Sequence, residues 1–192
     1  VGYQQIQGDQ YAALYSEILT VELENDFFPF LYPNQYVNFS PDSEASKLAL
    51  SMVSEDTTDV DALKQIYNYV VNNLTYDYDK AETVETGYLP DVDETLSTKT
   101  GICFDYAALT TAMLRSCDIP CKLQIGYTGD IKHAWIDVYI RSKGWVTGAV
   151  SFNGDSWSLM DPTFDSSADS DDTEAIQDYI GNADNYTVQF TR

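Results

Sequence analysis

The spacing of apolar residues changes its period at Pro120, and this change constrains the fold more than any other feature. The segment Cys103–Ser116 is rich in Ala, Leu and Met, which predicts a helix that ends before the proline. Beyond Pro120, the apolar residues Leu123, Ile125 and Tyr127 alternate with polar residues or glycine. This period of two predicts a strand, so a helix is followed directly by sheet.

Further segments continue the predicted sheet. His133–Ile140 is rich in β-forming residues. Gly144–Val150 and Ser156–Met160 are joined through Asn153-Gly154, a pair typical of hairpin turns. Tyr186–Phe190 predicts an additional edge strand. The expected fold class is therefore α+β, with an antiparallel sheet behind one central helix.

Helices are also predicted before the central one. Gln10–Leu23 carries apolar residues at helical spacing. Ser40-Pro41 offers an N-cap and a first-turn proline for a second helix. Thr58, with Asp61 three residues later, indicates a capping box for a third. We interpret the apolar faces of these helices as parts of the core and assign them no chemistry.

The remaining segments lack a regular period. Asn25–Phe39 is aromatic and interrupted by proline, and Thr75–Thr98 is polar and acidic, so both predict long loops. From Asp165 onwards, acidic residues cluster with serines, and a short helix is expected to end at Gly181. We favour a solvated loop over a calcium site for the acidic cluster, because the ligand spacing and central glycine of an EF-hand are missing.

The length of 192 residues suits a single domain. Within it we distinguish an N-terminal helical part (residues 1–73), a core that carries the candidate site (74–165) and an acidic C-terminal extension (166–192). No apolar run approaches the roughly 20 residues of a membrane-spanning helix. The high tyrosine content, the few lysines and a first residue other than methionine lead us to expect a mature extracellular or cell-surface protein.

The chain carries 10 Lys and Arg residues against 31 Asp and Glu residues, a formal net charge of -21. Such a charge repels nucleic acid and anionic membrane surfaces, so neither is an expected partner. Its simplest consequence is solubility. It also favours attraction to cationic substrates, such as lysine-rich peptides.

The chain contains one histidine, His133, which lies between a cysteine and an aspartate at similar distances along the sequence, Cys103 and Asp161. A thiol, an imidazole and a carboxylate are a nucleophile, its base and the group that orients the base. If the fold unites them, they predict thiol-dependent acyl transfer or hydrolysis without a cofactor. A structural metal site formed by Cys103, His133 and aspartates is a weaker hypothesis, because the spacing matches no zinc pattern.

Cys103 stands just after Gly101, where the predicted helix begins. Unpaired N–H groups and partial positive charge at a helix start favour a thiolate, so we expect a Cys103 pKa below the ordinary value of about 8.5. The same N–H groups can hold an oxyanion, and Gly101 is expected to let a substrate approach the backbone.

The alternation of the His133 strand places Trp135 and Asp137 on the same face as His133, and Ala134 and Ile136 on the more apolar face. We therefore expect either that the cysteine helix covers part of the His133 face or that the assigned alternation is wrong.

The other two cysteines, Cys117 and Cys121, frame a short turn. They are either bridged by a disulfide or present as two buried thiols, and the sequence favours neither.

Several short motifs together resemble those of one family, the transglutaminase-like superfamily of papain-type cysteine enzymes. The motifs are Gly101-x-Cys103 with Tyr106-Ala107, then Ile119-Pro120, His133-Ala134-Trp135 and Asp161-Pro162-Thr163. The match runs roughly from Leu74 to Asp165. One departure is Asp118, which stands where the family usually has a glycine before Ile-Pro.

The resemblance implies a papain-type α+β fold and an acyl-thioester reaction on peptide or amide bonds, with a protein or peptide as substrate. It implies that Cys103 is the nucleophile, His133 the base and Asp161 the orienting carboxylate. Family oxyanion sites often use a side-chain donor upstream of the cysteine, for which Tyr76 and Tyr78 are candidates. Because the family also contains inactive members, a binding module without turnover is the alternative.

Overall fold

The elements follow one another along the chain as a hairpin, a set of helices and then a sheet. The computed structural model describes residues 2–7, 10–128, 130–152, 157–159 and 186–192. The hairpin consists of β1 (Gly2–Gln7) and β2 (Gln10–Tyr15). The helices and two short strands between them are α1 (Glu44–Met52), α2 (Asp59–Asn73), β3 (Thr75–Tyr76), α3 (Tyr78–Thr83), α4 (Val92–Thr98), β4 (Thr100–Gly101) and α5 (Cys103–Ser116). The sheet strands are β5 (Cys121–Thr128), β6 (Ile131–Ile140), β7 (Gly144–Phe152), β8 (Trp157–Leu159) and β9 (Tyr186–Thr191).

Helix α5 is buried around its whole circumference, and every residue from Asp105 to Arg115 is inaccessible to solvent or nearly so. It packs against α1, α2 and α4 on one side and against β5 and β6 on the other. The side chains of Leu109, Met113 and Leu114 are fully buried. Each such burial stabilises the fold by roughly 1.5–3 kcal/mol, so α5 is the centre of the hydrophobic core.

The sheet order is β8-β7-β6-β5-β9, and every neighbouring pair is antiparallel. The predicted α+β class, the cysteine-bearing central helix and the antiparallel sheet are therefore confirmed. The edge strand predicted over Tyr186–Phe190 is β9, which pairs with β5. At this pairing a Cβ on Gly126 would lie 2.0 Å from the Thr187 carbonyl oxygen, so the close approach of β9 requires glycine. β7 and β8 pair as predicted, whereas their Asn153-Gly154 connection lies outside the described residues.

Helix α5 packs on the apolar face of β6, which corrects the expectation that it covers the His133 face. Residues of that apolar face belong to one core cluster with α5, namely Ala134, Ile136, Val138 and Ile140. This arrangement buries more apolar surface than the opposite one. The other face is also covered, because Trp135 is 1% exposed and Phe27 from the loop before α1 packs on Tyr139 with ring centroids 4.6 Å apart.

Two of the three predicted N-terminal helices are present. Helix α2 begins after Thr58, whose hydroxyl accepts a hydrogen bond from the Asp61 N–H, as the predicted N-cap requires. Helix α1 begins at Glu44 with Ser43 as its N-cap residue, three residues later than Ser40-Pro41 indicates.

The helix predicted over Gln10–Leu23 is wrong. Its first part is strand β2, which pairs antiparallel with β1, and residues 16–23 form no helix. Leu14 is 66% exposed and Ile18 is 96% exposed, so the apolar stripe has no core to face. A helix of this length is marginal in water without such packing.

The loop predicted over Thr75–Thr98 is also wrong, because α3 and α4 lie within it. Each begins at an aspartate that caps it. The Asp77 carboxylate accepts a hydrogen bond from the Lys80 N–H at 2.8 Å. The Asp91 carboxylate accepts one from the Glu94 N–H at 2.9 Å. Helices of six and seven residues are too short to display an apolar period, so their caps define them.

The turn after α5 explains the sequence departure at Asp118. This residue has φ of 62°, in the left-handed region that glycine adopts most readily. Cys117 and Cys121, which frame the turn, are separate thiols without a disulfide. Cys121 is buried and donates to the Thr111 hydroxyl at 3.5 Å. The predicted acidic loop and the short helix ending at Gly181 lie outside the described residues.

Candidate active site

Cys103 is the first residue of α5 and opens into a pocket of about 880 Å³. The pocket runs between the first turn of α5, the segment that joins α3 to α4, and the adjoining ends of β5, β6 and β9. Aromatic side chains form much of its wall: Tyr36, Tyr76, Tyr88, Phe104, Tyr127 and Phe190. His133 and Ala134 of β6 line the same pocket as Cys103. The structure thus brings two of the three predicted site residues to one cavity.

Tyr76 lies next to Cys103 because the two short strands β3 and β4 pair with each other. Strand β3 directly precedes α3, and β4 directly precedes α5. β3 and β4 are parallel, and Tyr76 is the register partner of Gly101. The Thr75 N–H donates to the Lys99 carbonyl at 2.8 Å, and the Asp77 N–H donates to the Gly101 carbonyl at 2.9 Å. This ladder places the Tyr76 side chain beside the Cys103 thiol, where the two groups affect each other's pKa.

The Cys103 sulfur lies directly against β6. Burial raises the pKa of the Cys103 thiol above its ordinary value. This outweighs the opposite effect of three neighbouring groups that lower the pKa, which are the backbone of Ala134 (the residue after His133), the Tyr76 side chain and the backbone of Phe104. The expected thiolate-favouring pKa is therefore wrong for this state of the protein, because desolvation exceeds the effect of the helix start. Burial also raises the pKa of Tyr76 to about 12, so its hydroxyl stays protonated.

His133 is a buried, neutral imidazole. It is 8% exposed, and its ring is stacked with that of Trp135 at a centroid distance of 6.2 Å and an interplanar angle of 19°. Burial lowers the pKa of His133 to about 4. Its Nε2 atom is buried and has no hydrogen-bond partner in the part of the chain that the structure describes. An imidazole in this state is unprotonated throughout the neutral pH range, which is the form that a general base requires.

The remaining candidates differ in their outcome. Asp161 lies outside the described residues, so its role as the orienting carboxylate stays a prediction. Tyr78 is 59% exposed and is not among the residues that line the pocket. Of the two proposed oxyanion donors, only Tyr76 therefore has the position that the role requires.

A buried carboxylate beside the cysteine was not predicted from the sequence. Asp105, in the first turn of α5, is fully buried. Its Oδ2 accepts hydrogen bonds from the Ile102 N–H at 2.8 Å and from Lys80 Nζ at 2.9 Å, and its Oδ1 accepts one from the Tyr88 hydroxyl. Lys80 Nζ also donates to the Tyr88 oxygen at 2.7 Å. These three side chains fasten α3 and the pocket wall at Tyr88 to the start of the cysteine helix.

Gly101 makes room for this carboxylate, while its expected role toward a substrate stays a prediction. A Cβ on Gly101 would lie 2.6 Å from the Asp105 Cβ, a distance that real Cβ atoms do not reach. The glycine therefore makes room for the Asp105 side chain to fold back onto the Ile102 N–H. The motif Gly101-x-Cys103-x-Asp105 was the available signal: an acidic residue at the third helical position is typical of a capping interaction.

The described residues contain no group of three or more His, Cys, Asp or Glu side chains that could hold a metal ion. Within the same residues no helix has both the length and the apolar character needed to span a membrane.

Curated relatives match parts of this chain. The UPF0252 protein MJ1282 of Methanocaldococcus jannaschii is 40% identical over 62 residues, which are 30% of this chain and 18% of that protein. The uncharacterized protein YebA of Bacillus subtilis is 26% identical over 154 residues, which are 68% of this chain and 21% of YebA. The chain thus spans about a fifth of the length of these relatives.

A solved structure shares the fold. It is described as a proposed cysteine protease from Cytophaga hutchinsonii and superposes with a TM-score of 0.51 at 25% sequence identity. The superposition covers 65% of this chain and 42% of that one. The family model of the transglutaminase-like superfamily matches residues 46–148, a range that contains both Cys103 and His133. The protein with this pocket belongs to the transglutaminase-like superfamily.

Proposed function

We propose that the protein is a cysteine enzyme that acts on peptide or amide bonds through an acyl-thioester on Cys103. The observation that carries this proposal is the pocket, in which a helix-start thiol, the only histidine of the chain and the Tyr76 side chain line one cavity. The family supports the reaction class, and the proposed protease character of the solved neighbour agrees with it.

In the proposed first step, neutral His133 takes the proton of the Cys103 thiol as the sulfur attacks the carbonyl carbon of the scissile amide. Starting from a neutral thiol and a neutral imidazole suits the opposite pKa shifts of the two groups, because burial disfavours both charged forms. The negative charge then resides on the former carbonyl oxygen. The Tyr76 hydroxyl and N–H groups at the start of α5 are the proposed donors to this oxyanion.

In the second step the carbon–nitrogen bond breaks, and His133 returns the proton to the leaving amine. This leaves an acyl-thioester on Cys103. Water then releases an acid, or a second amine releases a cross-linked amide, and in both cases Cys103 recovers its proton through His133. The proposed role of Asp161 is to accept a hydrogen bond from the imidazole and stabilise its charged form.

The test is a turnover assay with fluorogenic peptide amides and with a primary-amine acceptor, on the wild type and on Cys103→Ala and His133→Ala. We expect both substitutions to reduce kcat/KM by at least about 10³-fold, as is typical of residues that act as one catalytic unit. Tyr76→Phe keeps the ring and removes one donor, so a loss of about 10²-fold is expected. Activity that survives Cys103→Ala would refute the proposal.

A binding module that keeps the fold without turnover is the second candidate. The raised pKa of Cys103 favours it, because a protonated thiol is a poor nucleophile. Alkylation of Cys103 as a function of pH separates the two candidates. A thiol whose reactivity at neutral pH depends on His133 supports the enzyme, and a thiol that is inert in both wild type and His133→Ala supports the binding module.

The location of the protein and the limits of its three parts (residues 1–73, 74–165 and 166–192) are proposals of the same kind. We propose an extracellular or cell-surface location on the basis of composition, and a protein or peptide as the substrate. Fractionation of cells that produce the protein, followed by immunoblotting, tests the location.

A further inference from the structure

We propose that Arg192 recognises a carboxylate group of the substrate in the Cys103 pocket. The inference rests on the proposed function, because it assumes that the substrate is held beside Cys103, and it adds the chemical class that the pocket selects.

The described residues of the pocket wall include the cations Lys132 and Arg192 and the anion Glu85. In this part of the wall cations outnumber anions, whereas the whole chain has a formal net charge of -21. The buried carboxylate beneath the wall, Asp105, is paired with Lys80 at 2.9 Å. The pocket therefore offers an anionic group a more favourable position than the rest of the molecule does.

Arg192 is held firmly by its backbone. Its N–H donates to the Leu123 carbonyl at 2.8 Å, and its carbonyl accepts from the Leu123 N–H at 2.8 Å. The buried guanidinium of Arg115 also donates to the Arg192 carbonyl at 3.0 Å. A side chain that projects from such an anchor loses little further freedom when it binds a ligand.

The guanidinium of Arg192 lies on an aromatic platform that leads to the nucleophile. Its central carbon is 4.8 Å from the ring centroid of Tyr36 and 5.1 Å from that of Phe190. Tyr36 in turn packs against Phe104 at a centroid distance of 6.4 Å, and Phe104 follows Cys103 in α5. A stacked guanidinium keeps its planar edge available for the two parallel hydrogen bonds that a carboxylate accepts.

Part of this hydrogen-bonding capacity is unused. The Nε atom of Arg192 is buried and has no hydrogen-bond partner within the described ranges. Its Nη1 atom donates to the Thr191 carbonyl at 3.2 Å, and no carboxylate of the described residues forms an ion pair with Arg192. A buried N–H without an acceptor destabilises the protein, and a ligand that supplies the acceptor removes this penalty.

A carboxylate fits this site better than a neutral or cationic group. It accepts from Nε and from a neighbouring Nη at once, and it neutralises the local positive charge. The carboxylate has two sources in a peptide: an acidic side chain and a free C-terminus. The lysine-rich substrates that the overall charge favours would instead meet Lys132 and Arg192 in this pocket.

The test compares alkylation of Cys103 by iodoacetate and by iodoacetamide, which differ in a carboxylate and a neutral amide. The rate at Cys103 is followed by mass spectrometry of its peptide, which separates it from Cys117 and Cys121. We expect Arg192→Gln to lower the ratio of the iodoacetate rate to the iodoacetamide rate roughly tenfold, or about 1.4 kcal/mol, because the variant loses a hydrogen bond to a charged group. The iodoacetamide rate itself shows that the thiol and its surroundings are intact.

Lys122→Gln is the matched control. It removes the same charge, but Lys122 lies over the ring of Trp145 at 3.8 Å and is not part of the pocket wall. The ratio is expected to stay at the wild-type value in this variant. An unchanged ratio in Arg192→Gln, or an equal fall in both variants, would overturn the proposal.

Protection of Cys103 by peptides distinguishes the two sources of the carboxylate. Matched peptides carry Glu or Gln at one position and a free or amidated C-terminus. The peptide with the recognised carboxylate is expected to protect at a concentration roughly tenfold lower than its neutral partner, in the wild type only. Better protection by a lysine-rich peptide would contradict the proposal. Because alkylation needs no turnover, these results stand apart from the activity assay of the proposed function.

Discussion

The two ends of helix α5 each contain a buried charged residue, and the two residues are satisfied in different ways. Asp105 lies in the first turn and Arg115 in the last, so both signs complement the helix dipole. Asp105 is bonded to the side chains of Lys80 and Tyr88, and Tyr88 belongs to the pocket wall. Among the described residues, the partners of Arg115 are backbone carbonyls, those of Tyr32, Cys121 and Arg192. The two residues thus have different kinds of partner: mainly side chains for Asp105 and backbone carbonyls for Arg115.

The C-terminal end joins distant segments. The Arg115 guanidinium donates to the loop before α1, to the start of β5 and to the end of β9, so it connects three parts of the chain through one side chain. Burial lowers the pKa of Arg115, yet its carbonyl partners keep it charged and hydrogen-bonded. The N-terminal end instead sets the local charge and shape around Cys103. We therefore expect substitutions at the C-terminal end to change the free energy of unfolding, and substitutions at the N-terminal end to change the pKa of the Cys103 thiol.

The largest expected effect is that of Arg115→Met. The substitution keeps most of the side-chain volume but leaves the buried Cys121 carbonyl and the partly buried carbonyls of Tyr32 and Arg192 with fewer donors, so a loss of about 3–5 kcal/mol in the free energy of unfolding is expected. Denaturant unfolding measures this loss. The pH dependence of Cys103 alkylation is expected to stay unchanged. A loss below about 1 kcal/mol together with an altered alkylation profile would reverse the comparison between the two ends.

The second effect concerns His133 and the pH. In the folded protein His133 binds a proton only near pH 4, whereas in the unfolded chain its pKa is about 6.5. The unfolded state therefore binds more protons between these values, and stability falls as the pH decreases from 6.5 to 4, by up to about 3 kcal/mol. His133→Gln removes this contribution.

Unfolding free energies of the wild type and His133→Gln at pH 7 and pH 4.5 measure the difference. The carboxylates are common to both proteins, so their contribution cancels. Equal pH dependence in the two proteins would show that the imidazole is accessible to protons in the native state. The acidic limb of any activity is expected near pH 4 for the same reason.

The smallest expected effect on stability is that of Asp105→Asn, about 1–2 kcal/mol, because the amide keeps the volume and part of the hydrogen bonding. Its effect on the thiol is the informative one. The Asp105 charge raises the pKa of Cys103, and removing it also leaves the Lys80 cation without its partner. Both changes lower the pKa of Cys103, so alkylation is expected to reach half of its maximal rate at a lower pH.

Asp137→Asn is the matched control for this measurement. Asp137 is 6% exposed and accepts from Gln124 Nε2 at 2.6 Å, away from the first turn of α5. We expect this variant to leave the Cys103 profile in place. A shift of equal size in the two variants would mean that the thiol responds to general loosening of the fold and not to the charge of Asp105.

Much of the core could be predicted because its signals are local. The limits of α5 follow from a run of Ala, Leu and Met that ends before Pro120, and β5 follows from strict alternation. Cys103 and His133 could be proposed as a pair because the chain has a single imidazole and the motifs around both residues are specific.

The errors in the predictions arise where a local pattern is ambiguous, or where residues distant in the sequence determine the structure or the pKa of a group. Leu14 and Ile18 have helical spacing, but spacing does not reveal whether a core exists for them to face. Asp105 reads as a helix-start acid, and only the fold brings Lys80 and Tyr88 to it. The pKa of Cys103 depends on how deeply the sulfur is buried, and this depends on strands that follow it in the sequence.

The short parallel ladder between β3 and β4 makes assembly of the site observable without a substrate. The ladder consists of backbone hydrogen bonds donated by the Thr75 and Asp77 amides, and these bonds close a 23-residue loop between Tyr76 and Thr100. Slow hydrogen–deuterium exchange at these two amides would report that Tyr76 is seated at the sulfur. Insertions or deletions between Tyr76 and Thr100 can be tested in the same way. If exchange at the two amides stays slow, the altered segment can be changed without loss of the Tyr76–Cys103 arrangement.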